Sequence, residues 1–148
     1  MQSDAVGEGG VAVAPGRTIA AVRLCGRQRL NCLPRQFGPW SLAVETMVYD
    51  TMRRLCGHYE GGCWDFVALS NGGLYMAPQG AERWYLACAG NGYEGWFASD
   101  AAGLAVCAMA YSRLSFERGG ARMAEAFYLL RDFIGQHAEA RRLLALLD

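Results

Sequence analysis

An α+β fold is what this sequence predicts: an antiparallel β-meander of three to four strands packed against a buried central helix, with additional flanking helices. Three observations predict it. Two Asn-Gly pairs, Asn71-Gly72 and Asn91-Gly92, each join short runs rich in aromatic and branched residues, the strongest short-range hairpin signal. The segment Ala101 to Phe116 carries Arg113 as its only charge, so as a helix it lacks a solvated face over most of its length and must be enclosed. On either side of this core, apolar residues recur at the spacing of amphipathic helices.

In chain order, residues 1–16, rich in Gly, Ala and Val, are expected to form a flexible leader, and residues 17–148 a single domain. Thr18 to Leu24 can form a short strand. Gly26 to Pro39 is expected to be irregular, because Pro34, Gly38 and Pro39 disfavour a helix. Ser41 is placed to cap a helix running to Cys56, in which Val44, Met47, Val48, Met52 and Leu55 share one face, and Gly57 ends it. Trp64 to Leu69 and Leu74 to Ala77 flank the first Asn-Gly turn, with Pro78 as a stop. Arg83 to Ala89 and Tyr93 to Phe97 flank the second. Ser99 is placed to cap the central helix, and Gly119-Gly120 breaks the chain after it. Beyond the break, Met123, Ala126, Phe127, Leu130, Phe133 and Ile134 mark the buried side of a surface helix whose other side carries Arg122, Glu125, Arg131 and Asp132. Gly135 to His137 interrupts that helix, and Ala138 to Leu147 forms a short terminal one.

The chain has 148 residues, 53% hydrophobic and 19% charged, which suits one globular domain with a core. Its 14 basic residues, all arginine, balance 14 acidic ones. Neutrality excludes a wrapped nucleic-acid binder, which needs a cationic surplus, and an imitation of the DNA phosphate backbone, which needs an anionic one. The charge is unevenly spread: residues 17–54 hold seven Arg against Glu45 and Asp50, whereas residues 55–117 hold Arg83 and Arg113 against six acids. Ion pairs between these segments are expected. The longest nearly uncharged stretch, Ala101 to Ser112, falls short of the roughly 20 residues that cross a bilayer, and the start does not read as a secretory signal. A cytoplasmic protein with no membrane contact is expected. Its six cysteines, at 25, 32, 56, 63, 88 and 107, form no C-x-x-C pair and are expected to be reduced thiols.

Residue types able to carry chemistry occur without the spacing that chemistry needs. Cys56, His58 and Cys63, with Cys88 on a neighbouring strand, do not make the closely spaced ligand pairs of a zinc site. A cysteine-dependent hydrolase would use Cys63 or Cys88, with His58 or His137 as base and Asp65, Asn71 or Asp100 as orienting group, yet the local sequence supplies no oxyanion site. Glu94 and Asp100 could pair as acid and base, but Asp100 is also the first-turn acid a helix dipole favours. No phosphate-binding glycine motif follows a strand. Arg23, Arg27, Arg29 and Arg35, interleaved with Phe37 and Trp40, have the mixture that single-stranded nucleic acid prefers, on a neutral protein for which no strong DNA binding is expected. The aromatics Trp64, Phe66, Tyr75, Trp84, Tyr85, Trp96 and Phe97 concentrate in the expected sheet, and any left exposed would be a contact surface. Neither a cofactor nor a catalytic or metal-binding residue is assigned.

A more specific signal lies in Tyr59-Glu60-Gly61-Gly62-Cys63-Trp64-Asp65-Phe66, which continues through Leu69-Ser70-Asn71-Gly72-Gly73-Leu74-Tyr75-Met76-Ala77-Pro78. Further on stand Asn91-Gly92-Tyr93-Glu94-Gly95 and Ser99-Asp100-Ala101-Ala102-Gly103. Leu33-Pro34-Arg35-Gln36-Phe37-Gly38, Val48-Tyr49-Asp50 and Leu114-Ser115-Phe116-Glu117 support them. In order and spacing these runs resemble the ArdB/KlcA antirestriction family, over residues 30–148. Departures are Cys63, where an aromatic is more usual, Val67 for a tyrosine, and Trp96 for a polar residue.

The resemblance implies a small α+β protein of plasmids and other mobile DNA that protects incoming DNA from host type I restriction and leaves methylation active. It implies no enzymatic activity and no cofactor, and it transfers no catalytic residue. The partner it implies is the type I restriction-modification machinery, engaged directly or indirectly. Type I restriction requires long-range translocation before cutting, whereas methylation requires only site binding, so interference with the motor or nuclease step separates the two. The expected interaction surface lies at the ends of the meander, at Asn71, Gly72, Asn91, Tyr93, Glu94 and Asp100. The oligomeric state is left open.

Overall fold

The computed structural model describes residues 18–117 and 119–148, and the leader expected over residues 1–16 lies outside them. In chain order the elements are β1 (Ala21–Arg23), α1 (Gly26–Phe37), a 3-10 turn (Gly38–Trp40), α2 (Ser41–Leu55), β2 (Trp64–Leu69), β3 (Leu74–Pro78), β4 (Arg83–Ala87), β5 (Glu94–Ala98), α3 (Ser99–Glu117), α4 (Gly120–Ile134) and α5 (Ala140–Leu147). The class is α+β as expected, and α3 is the enclosed central helix, with Ala101 to Ala108 buried without interruption.

The expected meander is divided. Strands β1, β2 and β3 form one antiparallel sheet, while β4 and β5 form a separate hairpin. The reason lies in the outer edge of β3. Leu69 N–H donates to Gly73 O at 2.8 Å, so the next residues along β3 alternate, and Leu74, Met76 and Pro78 turn their backbone groups away from β2. Side chains of α3 occupy those groups. Tyr111 Oη donates to Leu74 O at 2.6 Å, Met76 N–H donates to Cys107 Sγ at 3.3 Å, and the Cys107 thiol in turn faces Met76 O at 3.6 Å. Pro78 has no N–H to offer. With Leu74 O and both backbone groups of Met76 engaged from the helix, the centre of this edge is closed to β4.

Gly103 permits that approach. A Cβ there would overlap the Met76 carbonyl oxygen and lie 2.7 Å from Ala77 Cα, both of them backbone atoms that cannot swing aside. Gly103, Cys107 and Tyr111 are spaced by four, so they form one ridge along α3 that lies on β3.

The segment expected to be irregular, Gly26 to Pro39, is helical as far as Phe37, with Pro34 inside the helix. Burial outweighs the proline. Arg29, Cys32, Leu33, Gln36 and Phe37 are the half-buried or buried positions, a helical repeat, and Phe37 packs against Tyr111 with ring centroids 5.4 Å apart. An interior proline costs about 3 kcal/mol, which burial of Leu33 and Phe37 together offsets at about 1.5–3 kcal/mol each. Gly38, at φ 53°, then ends the helix by donating its N–H to Pro34 O.

Two expected caps are also corrected. Ser41 and Ser99 stand inside the first turns of α2 and α3, and their hydroxyls donate backward, to Gly38 O at 2.6 Å and Ala81 O at 2.7 Å. Each therefore ties the helix start to the preceding segment. One expected cross-segment ion pair forms, between Arg23 and Asp65 at 3.6 Å. Among the described residues no helix is long and apolar enough to cross a membrane.

Gly103→Ala should destabilise the fold by about 1–3 kcal/mol through overpacking. Tyr111→Phe should cost about 1–3 kcal/mol by leaving the Leu74 carbonyl buried without a donor. Urea unfolding midpoints at an unchanged slope measure both, and a neutral Gly103→Ala contradicts the close approach of α3 to β3.

Candidate functional site

Between the two sheets the chain runs from the end of α2 through Gly57 to Cys63, and this link aligns the aromatic side chains. Tyr59 N–H donates to Cys56 O at 3.2 Å, which turns the chain, and Gly61 and Gly62 carry φ values of 92° and 130° that a side chain would oppose. Tyr59 Oη accepts the indole N–H of Trp64 at 3.0 Å. His58 stacks on Trp84 at 5.7 Å and 6° between planes, and its Nε2 accepts Tyr85 N–H at 3.2 Å. Trp84 donates its indole N–H to Ser99 Oγ at 3.0 Å.

The result is a continuous band: Tyr49 to Trp64 (5.6 Å), Trp64 to Tyr59 (6.0 Å), Tyr59 to Trp84 (6.1 Å), then His58 to Trp96 (5.9 Å) and Trp96 to Tyr85 (5.3 Å). Most of it is packing, but Trp96 is 50% exposed at the far end. There the Tyr85 hydroxyl bonds to the Glu94 carboxylate, which raises the phenol's pKa. An exposed indole beside a phenol brings together two residue types enriched where proteins meet.

At its other end the band enters a cleft of about 490 Å³ between α1, α2 and β2, where Tyr49 and Trp64 form part of the wall. Arg29 donates to Trp64 O at 2.7 Å and lies 5.1 Å over the Phe66 ring. Tyr49 Oη meets Glu45 at 3.1 Å, and burial together with that carboxylate pushes the phenol up to about 12. Leu30 and Leu42, both exposed, flank the opening. Sequence reasoning missed this cleft because α1 was expected to be irregular. The repeat of Arg29, Leu33 and Phe37 by four, and of Glu45 and Tyr49 by four, was the signal available.

The six expected surface residues are held by different parts of the fold. Asn71 fastens the β2–β3 turn to α4, donating to Leu129 O at 3.0 Å and accepting Gly73 N–H at 2.9 Å. Gly72, at φ 97°, accepts Gln36 Nε2–H on its carbonyl at 2.9 Å. Asn91 fastens the other turn to α5, donating to Ala145 O and Leu146 O at 3.2 and 3.0 Å and accepting Tyr93 N–H at 2.9 Å. Tyr93 packs on Phe97 at 6.5 Å. Glu94 begins β5 whereas Asp100 stands beyond its far end, in the first turn of α3, and the two are not a carboxylate pair. Of the six, Glu94 lies beside the exposed aromatics.

The hydrolase elements are spent elsewhere. His137 Nδ1 accepts Glu139 N–H at 2.9 Å while its Nε2 contacts Asp100 Oδ2 at 2.8 Å, which sets the neutral ring as the Nε2–H tautomer. In His58 the acceptor nitrogen takes Tyr85 N–H, so neither imidazole keeps a lone pair free for a thiol. Cys32, Cys56 and Cys107 are buried, and burial raises all three, Cys107 to about 12. Cys63 is exposed at the cleft and Cys88 is half-buried. Among the described residues no three His, Cys, Asp or Glu gather as a metal site. Of the arginine segment, Arg23 and Arg29 bind β2 and Phe37 is core.

Comparison with known proteins places this geometry in context. The family model described as antirestriction protein matches residues 57–148. The chain is 39% identical over 137 residues to an antirestriction protein KlcA of Escherichia coli, covering 88% of this chain and 94% of that protein. It is 38% identical over 125 residues to the uncharacterized protein YafX of Escherichia coli K12, covering 82% of each. A solved structure from work on the KlcA and ArdB proteins superposes with a TM-score of 0.82 at 35% identity, covering 92% of this chain and 99% of that one. That work reports a novel fold and antirestriction activity against Type I DNA restriction systems in vivo but not in vitro.

The His137–Asp100 pair gives a pH dependence. Hydrogen bonding to Asp100 raises His137 above 6.5, and bonding to His137 lowers Asp100 below 3.8. The raised histidine contributes stability that is full below its ordinary value and lost as pH rises through its folded pKa. The lowered aspartate contributes stability present above its ordinary value and lost as pH falls through its folded pKa. The pair thus stabilises most between these two ordinary values. NMR titration of the His137 ring should give a midpoint above 6.5 that drops in Asp100→Asn. A wild-type midpoint at or below 6.5 contradicts the assignment.

Proposed function

The chain belongs to the antirestriction protein family, and from that premise we propose that it protects incoming DNA from type I restriction endonucleases by macromolecular contact and leaves methylation active. The observation that carries the reading is the similarity, over 92% of the chain, to a fold reported with antirestriction activity in vivo. Charge supports the mode of action. With 14 arginines against 14 acids the chain has no anionic surplus with which to imitate duplex phosphates. The activity reported for KlcA and ArdB in vivo but not in vitro favours indirect engagement over blockade of the isolated enzyme.

Contact in place of catalysis is supported by the two histidines, whose acceptor nitrogens are taken by backbone N–H groups of Tyr85 and Glu139. Restriction and methylation part at translocation, so a protein that hinders the motor or nuclease step spares modification. The cleft at Arg29, Tyr49 and Trp64, with exposed Leu30 and Leu42 at its opening, is the surface we assign to this contact.

Unmodified phage plated on a type I restricting host should form plaques far more efficiently when the protein is expressed, and the progeny should still carry the host's methylation. Unchanged plating contradicts the reading. Replacing Cys63 and Cys88 together by Ser should retain protection in the same assay, and loss of protection with the fold intact would restore a thiol mechanism.

A further inference from the structure

A strand edge that ends a sheet exposes backbone donors and acceptors, and among the described residues two such edges, β3 and β4, are met by a particular side chain. Cys107 and Tyr111 close β3. His58 closes β4 at Tyr85 N–H. Ahead of β1, Gln136 closes Ile19, accepting its N–H and donating to its carbonyl, each at 2.8 Å. Strand β1 itself has three residues and carries Arg23, the kind of short, charged edge that resists pairing.

Strand β5 is different. Cys88 N–H donates to Tyr93 O at 2.9 Å, and Tyr85 N–H turns outward to His58, so Tyr85 and Trp96 oppose each other as a pair without mutual hydrogen bonds. By the same alternation the N–H and C=O of Glu94 and Trp96 point away from β4. Among the described residues no side chain closes them. The strand has five residues, no Lys, Arg or Pro, and a half-exposed tryptophan at its centre.

We propose that β5 pairs antiparallel with β5 of a second copy of this chain, about a two-fold axis at Trp96, joining two hairpins into one four-stranded sheet. Because both backbone groups of Trp96 face outward, Trp96 and the partner's Trp96 exchange two hydrogen bonds as a hydrogen-bonded pair. In that register Glu94 lies opposite the partner's Ala98, and Ala98 opposite the partner's Glu94.

Charge complementarity selects a second copy as the occupant. On the exposed face Arg83 stands across from Ala98 within the hairpin. Pairing puts the partner's Glu94 on the far side of Ala98, about 10 Å from Arg83 across two strand spacings. The alanine methyl group leaves room for the extended guanidinium and carboxylate to meet over it. Two-fold symmetry forms this contact twice. Among the described residues Arg83 has no carboxylate partner within its own chain, so the interface supplies the one it lacks. The middle row becomes an aromatic ladder of Tyr85, Trp96, the partner's Trp96 and the partner's Tyr85, extending the 5.3 Å contact already made in each copy.

The inference stands whether or not the protein acts against restriction. Sedimentation velocity over micromolar to millimolar concentration should show the mass rising from 16.1 kDa toward twice that value. Glu94→Arg and Arg83→Glu should each weaken association about tenfold or more, the two together should restore it, and Trp96→Ser should leave a monomer. Hydrogen exchange in the unaltered protein provides a readout that does not depend on variants folding: the Trp96 amide should exchange more slowly as concentration rises. A monomeric mass at every concentration overturns the proposal. So does a dimer in which Trp96 amide exchange is independent of concentration.

Discussion

The contact between α3 and the outer edge of β3 is the constraint from which the rest of the molecule follows. Gly103, Cys107 and Tyr111, spaced by four along one helix face, bring the helix onto the strand backbone and supply the hydrogen bonds a further strand would have made. The glycine removes steric bulk, the thiol offers a weak donor and acceptor to Met76, and the phenol reaches two strand residues further, to Leu74. From Ala101 to Ala108 a helix so placed is surrounded on all sides. That accounts for the near absence of charge along it, because an unpaired charge there would be desolvated with no compensating partner.

Dividing the sheet has consequences for the surface. Since β4 cannot join β3, the hairpin of β4 and β5 packs separately on α3, and the link from α2 to β2 passes close enough for His58 to cover the β4 edge and Tyr59 to bridge Trp64 and Trp84. The aromatic band is thus a by-product of how the sheet is broken. Its buried members stiffen the junction, while Trp96, at the free end, remains available to a partner.

Much of the frame was legible in the residues. Both Asn-Gly turns form where expected, and the central helix is buried where the charge pattern placed it. Three features were not. The helix through Pro34 was hidden because proline is read locally, whereas the burial of Leu33 and Phe37 that offsets it depends on Tyr111, far along the chain. The break between β3 and β4 was hidden because nothing in a strand's own sequence says whether its edge is met by another strand or by a helix side chain. Ser41 and Ser99 misled for a related reason: a serine hydroxyl at a helix start can accept from the next turn or donate to the previous one, and only the fold decides. Of the expected contact residues, Asn71 and Asn91 proved to be fasteners between turns and helices, a role their turn chemistry already permits.

Native-state hydrogen exchange at the Met76 amide tests the central claim most directly, because that N–H reaches only a side chain of α3 and has no strand partner on its side. Exchange limited by global unfolding, with the same denaturant dependence as the core of α3, is the predicted result. Rapid exchange at Met76 with the helix intact, or through-space backbone contacts between β3 and β4, would contradict a sheet closed by its helix.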